Sequence, residues 1–402
     1  MSQHRGGSLV LAICLVTGSL EPLFAQTPVS ESELLVQLEE DEFTRALLEA
    51  PVAEARAEHQ TTGRLSSPSV AASREEVGDA EEEWMWSVRW TPPLPGQRSR
   101  LRAQASAQID AAQHRSELDQ LERRLVLREA FAAWAVASAR VQVTTTLADE
   151  ITTLERFTSA RAEAGEAAGI AARRLDLDRR RARSEEARYR AEARRSRGRL
   201  EALVGPLAED AEPILPALPS ISPDSATQAP HPVLQLHALE EQSDILALEL
   251  ARRNLPAPEL QVGWKELRAE GASLDGPVFG LSWRLPLSGE RNASMARAQA
   301  ARDAGQARRW QQERELLQQR QAALSTFETL REAAQEAPSG DAQLRHAVIL
   351  SYRLGETSLP ELLGTLGSLH DSALEHLDLL DAALQAHRDL EYTLGHPLEI
   401  TP

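Results

Sequence analysis

Between Pro95 and Pro206 the chain runs 110 residues without a proline, the strongest helix breaker. Apolar residues in this stretch recur at three-and-four spacing. Leu118, Leu121 and Leu125 are followed by Leu127, Phe131 and Trp134, the period of one helix face. The positions between them are rich in alanine, which lets neighbouring helices pack closely. The spacing predicts a helix from Arg98 to Ala164, about 100 Å long at ~1.5 Å per residue. No compact domain contains such an element; coiled-coil tubes and stalks do. Only 4% of the residues are aromatic, thin for an ordinary globular core, and Ala, Leu, Glu, Gln and Arg dominate the middle of the chain.

The plan occurs twice. "WTPPLPGQR" (Trp90 to Arg98) and "WRLPLSGER" (Trp283 to Arg291) share the skeleton W-x-x-P-L-x-G-x-R at an offset of 193. The Ala-rich segments that follow match at the same offset, as in Ala103/Ala296 and Ala107/Ala300. Gly165-Glu166 reappears as Gly355-Glu356, and "LEALVG" (Leu200 to Gly205) as "LEYTLG" (Leu390 to Gly395), both offset by 190. This ordered series marks an internal duplication with a three-residue deletion. The resulting division is an N-terminal segment 26–50, repeat 1 over 51–205, a Pro-rich linker 206–230, repeat 2 over 231–396 and a tail 397–402. The linker reads as a loop outside the core. Pro338 and Gly340 predict a kink or break in the second long helix. The opening helix of repeat 1, Pro51 to Pro68, is expected to be about nine residues shorter than its counterpart, Pro232 to Pro258.

Period-two runs lead into each corner and argue for strands. Trp84, Trp86, Val88 and Trp90 alternate with Met85, Ser87 and Arg89. Leu260, Val262 and Trp264 alternate with Gln261 and Gly263. Phe279, Leu281 and Trp283 alternate with Ser282 and Arg284. "PSVAAS" (Pro68 to Ser73) is the fourth strand. "REEVGDAEEE" and "KELRAEGASLDG" read as exposed loops between the paired strands. Five of the seven tryptophans lie in these short runs, and an aromatic face backed by a polar one is the pattern of outer-membrane barrels. The first set of each alternation is therefore expected to face lipid. Four strands per chain close no conducting barrel, and an open edge is not tolerated in lipid, so several chains must contribute.

The N-terminus, "MSQHRGGSLVLAICLVTGSLEPLFAQTP", has a weakly basic start, a short apolar core and a small residue at Ala25. It reads as a signal peptide over 1–25. The only cysteine, Cys14, lies in that core and does not fit a lipidation site. Formal net charge is −17, which disfavours nucleic acid as a partner. The arm from Arg173 to Arg199 carries twelve arginines and five acidic residues, read as forming salt bridges with neighbouring helices.

With these features in place, the chain resembles the TolC-type outer-membrane efflux channels, over about Pro51 to Gly395. The carrying motifs are the doubled corners (Pro93, Leu94, Gly96; Pro286, Leu287, Gly289), the two Gly-Glu turns and the two L-x-x-x-x-G arm ends. "AGEAAGIAARR" (Ala164 to Arg174) is similar to the heavy-metal-efflux, CzcC-like branch. The resemblance implies a mainly α fold with a small β part. Two strand–strand–long helix–return helix repeats per chain build a homotrimer. Its twelve-stranded barrel is continuous with a periplasmic helical tunnel. It implies an outer-membrane location reaching into the periplasm, a periplasmic adaptor and an inner-membrane pump as partners, and heavy-metal cations as a candidate cargo. Ala164, Gly165, Glu166, Leu354, Gly355 and Glu356 would form the periplasmic tips that meet the adaptor. Tyr352 matches one family gate residue; Thr357 and Ala171 stand where the family has an arginine and an aspartate.

No GxxxxGK[ST], HExxH or GxSxG motif is present. Carboxylates on long helices are usually solvated or paired, and the histidines show no ligand spacing. The expectation is a passive duct with no catalysis, cofactor or bound metal. A periplasmic coiled-coil adaptor or scaffold without a pore is the first alternative, though it would have no use for aromatic-faced strands. A secreted enzyme with a helical insertion is the second.

Overall fold

The computed structural model describes residues 27–77, 81–164, 169–219, 230–253, 257–269, 272–283, 289–336 and 342–398. A short strand β1 (Thr27–Val29) leads into helices α1 (Glu31–Glu40) and α2 (Glu42–Thr61). A hairpin follows, β2 (Ser69–Val77) with β3 (Glu81–Trp90), then α3 (Gln97–Glu163) and α4 (Gly169–Val204). Strand β4 (Ala211–Pro213) precedes the second repeat: α5 (Pro232–Arg253), β5 (Glu259–Ala269), β6 (Ala272–Ser282), α6 (Glu290–Glu336), α7 (Ala342–Leu354) and α8 (Leu359–Leu394). The signal-peptide segment lies outside the described residues, as do Pro338 and Gly340, which fall between α6 and α7.

The 67-residue α3 meets the expected span within one residue at each end. It is the spine of a single layer of helices. Near the sheet, α3 packs on α2 and α5, and α5 on α6; toward the far end, α3 packs on α4 and α8, and α8 on α6. Apolar side chains bury where these helices meet. Phe131 and Trp134 of α3 pack with Leu34 and Leu38 of α1, Leu200 of α4 and Ala211 of β4. Leu147, Ile151 and Leu154 pack with Leu175 of α4 and Leu362 and Leu366 of α8.

Four expectations need correction. The opening helix of repeat 1 is not truncated: α2 has 20 residues against 22 in α5. It starts at Glu42, where the Asp41 side chain accepts the Thr44 N–H at 2.8 Å, and runs through Pro51. That proline forfeits only the bond to the carbonyl of Leu47, a residue on an exposed face. The polar runs taken as hairpin loops are mostly strand, because β2, β3, β5 and β6 extend through them. Pairing needs only backbone groups, and the charges are matched in place, with Lys265 on Glu83 at 2.7 Å and Arg74 on Glu82. The Pro-rich linker contributes to the core: β4 pairs in parallel with β1, and Leu218 packs against the α3–α8 cluster.

The arginines of α4 also pair differently. Arg179 reaches Glu155 of α3 at 2.9 Å, but most partners lie one turn away on α4 itself, as in Arg180–Asp176, Arg190–Glu186 and Arg197–Glu201.

Candidate functional site

Strands β2, β3, β5 and β6 form one antiparallel sheet in the order β2-β3-β5-β6. Its register aligns the apolar alternations of separate strands into rows. Val70, Val88, Val262 and Phe279 stand side by side, as do Trp86, Trp264 and Pro277, and Trp90, Leu260 and Leu281. Directly paired residues share a face, so these rows make one apolar band. It is uncovered: Trp86 is 55% exposed, Phe279 77% and Leu281 72%. Trp283, next in the alternation after β6, is exposed as well. From Pro277 to Trp283 the band is about 20 Å tall at ~3.4 Å per residue. The row beyond Trp86 turns polar, with Arg74 over the Trp84 ring at 5.2 Å and Glu266 and Asp275 alongside. At the other end the Trp90 indole N–H donates to the Ser66 carbonyl at 3.0 Å. The opposite face carries Arg89, Gln261 and Gly280 in one row and Ser87, Gly263 and Val278 in the next. Any side chain at Gly263 would run into the Trp86 carbonyl, so that face stays closely spaced there. Arg284 lies outside the described residues.

The corners turn the sheet into the helices. Gly96 takes φ +76° as the residue before α3, and Gly289 takes φ +71° before α6. The Leu94 carbonyl accepts the Gln97 N–H at 3.1 Å and closes the first turn, just after Pro93. Pro286 and Leu287 of the second corner lie outside the described residues. The repeated arginine has a role the sequence reading missed. Arg98 donates through Nε to the Gly63 carbonyl at 2.8 Å, and Arg291 through Nη2 to the Arg252 carbonyl at 2.5 Å. In both repeats this side chain ties the new helix to the end of the helix before the hairpin. Its presence in both copies of the motif was the available signal.

At the far end, α3 ends at Glu163, capped by Ala164, and α7 ends at Leu354; Gly165 and Glu166 lie outside the described residues. Gly355 takes φ +81°, and its N–H and that of Glu356 bond back to the carbonyls of Tyr352 and Ser351 at 3.0 and 2.9 Å. Ser358 caps α8 by accepting the Glu361 N–H, with Pro360 in the first turn. Leu354 is 66% exposed at this turn. Tyr352 is buried: its hydroxyl meets Thr158 Oγ1 at 2.9 Å, and its ring packs edge-on against Phe157. Thr357 is hydrogen-bonded to Ser351 at 2.8 Å, and Ala171 packs against the same apolar cluster as Tyr352.

A buried charge network joins α1 and the segment after α8 to α3, midway along the layer. Arg128 of α3 donates to Glu31 of α1 and to Glu391 of α8, and the other Glu391 oxygen accepts the Leu398 N–H at 2.8 Å. Glu391 is fully buried. Burial pushes its carboxyl above the usual range, against the pull of Arg128. Burial disfavours the Arg128 cation, but Glu391 and Glu31 outweigh this and raise it. His387, one turn earlier with Nδ1 3.7 Å from Glu391, is lowered to about 3 by burial and then by the charges of Arg128 and Arg388. Among the described residues no group of three or more His, Cys, Asp or Glu could hold a metal, and no helix is long and apolar enough to cross a membrane.

An antiparallel sheet standing on a layer of helices this long, built twice in one chain, is the fold of TolC-like outer-membrane channels. Among solved structures, the CmeC outer-membrane channel of Campylobacter jejuni matches with a TM-score of 0.74, at 11% identity, over 92% of this chain and 87% of that one. The outer-membrane protein VceC of Vibrio cholerae matches with a TM-score of 0.71, at 13% identity, over 92% and 97%. The open-state MtrE outer-membrane channel of Neisseria gonorrhoeae matches with a TM-score of 0.70, at 15% identity, over 92% and 89%. No protein-family model and no curated protein matches the chain.

Proposed function

We propose that this chain is the outer-membrane exit duct of a tripartite efflux system. The carrying observation is the in-register apolar band, exposed on one face of a four-stranded sheet at the head of a helical layer about 100 Å long. A soluble protein has no use for so large an uncovered aromatic face, whereas lipid covers it without cost. Trp84, Trp86, Val88, Trp90, Leu260, Val262, Trp264, Phe279, Leu281 and Trp283 contact lipid or its interface in this reading. The polar face lines a water-filled lumen. The outer strands β2 and β6 each keep one unpaired edge, so closure requires further copies. Three chains supply twelve strands, three times the four observed in one. Residues 1–25 direct export, and 51–205 and 231–396 act as the two repeats.

The turns at Ala164–Glu166 and Leu354–Glu356 are the periplasmic tips that meet an adaptor, itself joined to an inner-membrane pump that supplies the energy. Tyr352 acts at the gate through its bond to Thr158. The proposed cargo is heavy-metal cations, supported by the similarity of Ala164–Arg174 to the heavy-metal branch. Such cargo passes without a resident site. Purified protein in planar bilayers, with parallel fractionation of cell membranes, tests the reading. Ion conductance by an outer-membrane oligomer is expected; a soluble periplasmic monomer would overturn it.

A further inference from the structure

Asp41 and His231 occupy the same place in the two repeats. Each stands immediately before an opening helix, and they are related by the offset of 190 that also relates the arm ends. Two bonds form each junction. One caps the opening helix, and the other ties the chain near that helix to the last turn of the return arm. In repeat 1 two residues share the work. The Asp41 carboxylate caps α2 through the Thr44 N–H, and Gln37 donates through Nε2 to the carbonyl of Val204, the last residue of α4, at 3.0 Å. In repeat 2 one ring does both. His231 Nδ1 accepts the Val233 N–H at 3.1 Å and caps α5, whose first residue, Pro232, has no N–H to offer. Its Nε2 donates to the Tyr392 carbonyl in the last turn of α8 at 2.7 Å.

These two bonds fix the tautomer: Nδ1 carries the lone pair and Nε2 the proton. A second proton would set two N–H groups against each other at Nδ1 and Val233, so the cation cannot keep the cap. The surroundings fit the neutral ring. His231 is buried, its ring packs edge-on against Tyr392, and a side chain at Gly395 would collide with both His231 and Pro232. Among the described residues no carboxylate is paired with it. On the α8 side, the Glu391 carboxylate is turned to Arg128, and His396 adds a charge that opposes a cation on His231. Glu122 of α3 acts on the Tyr392 hydroxyl. On α5 itself the Gln235 amide is neutral and bonded to the Pro230 carbonyl at 2.8 Å. Burial holds the His231 pKa below the ordinary 6.5, with the Tyr392 carbonyl opposing and His396 adding to it. The cap of repeat 1 titrates in a different range, since the Thr44 N–H holds the Asp41 carboxyl below the usual carboxylate value.

We infer that His231 is an acid-sensitive latch between α5 and α8: protonation of the ring opens this junction in repeat 2, while the equivalent junction of repeat 1 stays closed. A released histidine binds its proton near 6.5 and the latched one only at lower pH. The latch is therefore at full strength above 6.5 and weakens as pH falls below it. The duplication sets one junction that responds to acid beside one that does not. This goes beyond the duct reading, and its test reads the folded chain whether or not it conducts.

Hydrogen exchange of the full-length protein in detergent, followed by mass spectrometry from about pH 7.5 to about pH 4.5, tests it, with rates referred to the unfolded chain at each pH. Segment 232–240 is expected to lose about fivefold of its protection toward the acid end, the size of one lost helix cap, while segment 42–50 keeps its own. His231→Asn retains a cap that does not titrate and should hold protection level across the range. His387→Gln should leave the response at 232–240 intact, which separates it from acid loosening around Glu391. Unchanged protection of 232–240 in the native chain would overturn the latch. So would an equal loss at 42–50, an acid response that persists in His231→Asn, or one that vanishes in His387→Gln. Should His231→Asn fail to fold, the native chain and His387→Gln still decide.

Discussion

Replacing Arg128 by methionine tests the buried network most sharply. In the native chain Glu391 is fully buried and, among the described residues, bonded to Arg128 and the Leu398 N–H, with His387 neutral beside it. Methionine keeps much of the stem volume and removes the cation. The carboxylate then has one neutral donor left, and stranding a buried charge in this way costs about 3–5 kcal/mol. Glu391 can escape the penalty by taking up a proton. The loss is therefore expected in full at pH 8 and to shrink by up to ~1.4 kcal/mol per pH unit as acid is added. Adding Glu391→Leu to Arg128→Met removes the stranded charge and is expected to recover most of the stability. Urea titrations followed by circular dichroism, with pulse proteolysis reporting release of the two chain ends, measure each quantity. A loss below about 1 kcal/mol at pH 8, or one that does not change with pH, would refute the network as a buried charge site.

His387 gives the wild-type protein its own acid signature. Its folded pKa of about 3 lies below the ordinary 6.5, so the unfolded chain binds the proton first and stability falls as pH drops from 6.5 toward 3. Two units of that window, from 6.5 to 4.5, amount to about 2.7 kcal/mol. Replacing His387 by glutamine should flatten that part of the acid titration. The raised Glu391 works in the opposite sense. Its folded form keeps the proton more readily than the unfolded chain, so its own contribution is favourable in acid and lost as pH rises.

Leu281→Arg is expected to cost ~2–4 kcal/mol in folding into vesicles if the residue lies at the bilayer midplane, while Ser282→Arg on the other face is tolerated; equal costs would contradict the alternation. Arg98→Ala and Arg291→Ala each remove a charge-assisted bond to a helix-end carbonyl, an expected loss of about 1.5–3 kcal/mol by thermal unfolding, and similar losses are expected because the corners are equivalent. Gly355→Val meets no neighbouring atom and is strained by its φ of +81° alone. The variant is expected to reach the outer membrane assembled but to lose adaptor cross-linking and export. Normal export would remove the tip assignment, and failure to assemble would make the glycine a folding residue.

The parts legible in the sequence were those whose signal is local and repeated. The three-and-four spacing over 110 proline-free residues predicted α3 to within a residue, because nothing in it competes with the helix. Period-two runs located three of the four strands but not their ends. Charged residues such as Glu83 and Lys265 look like loop until a partner strand supplies the opposite charge. β1 and β4 are three residues each, and Thr27 and Asp210, which bond at their junction, are 183 residues apart. No window along the chain contains both. α1 did carry a signal that was passed over, the Ser30–Glu33 capping box. Arg128 carried none, since an arginine on a long helix is ordinarily solvated and its partner Glu391 lies 263 positions away.

The place of that network follows from how the duplication is built. The repeats agree where each long helix meets its return arm: Trp134 and Phe327 are both buried at an offset of 193, and Leu200 and Leu390 at 190. Gly205 and Gly395 both end their arms with positive φ. The acid one turn before those glycines has diverged. Glu201 of the first repeat pairs with Arg197 on its own helix at the surface, whereas Glu391 of the second is buried on Arg128. The difference lies in what each arm end must hold. After Gly205 the chain continues into β4, which pairs with β1. After Gly395 the Leu398 N–H is held to Glu391. The N-terminal strap reaches the same level through Glu31. One arginine shared by two carboxylates ties α1 and the segment after α8 to the middle of α3. Loss of Arg128 should therefore release the strap and the tail together, while Arg197→Ala on the intact side should release neither; limited proteolysis at the two ends, compared between these variants, would show it.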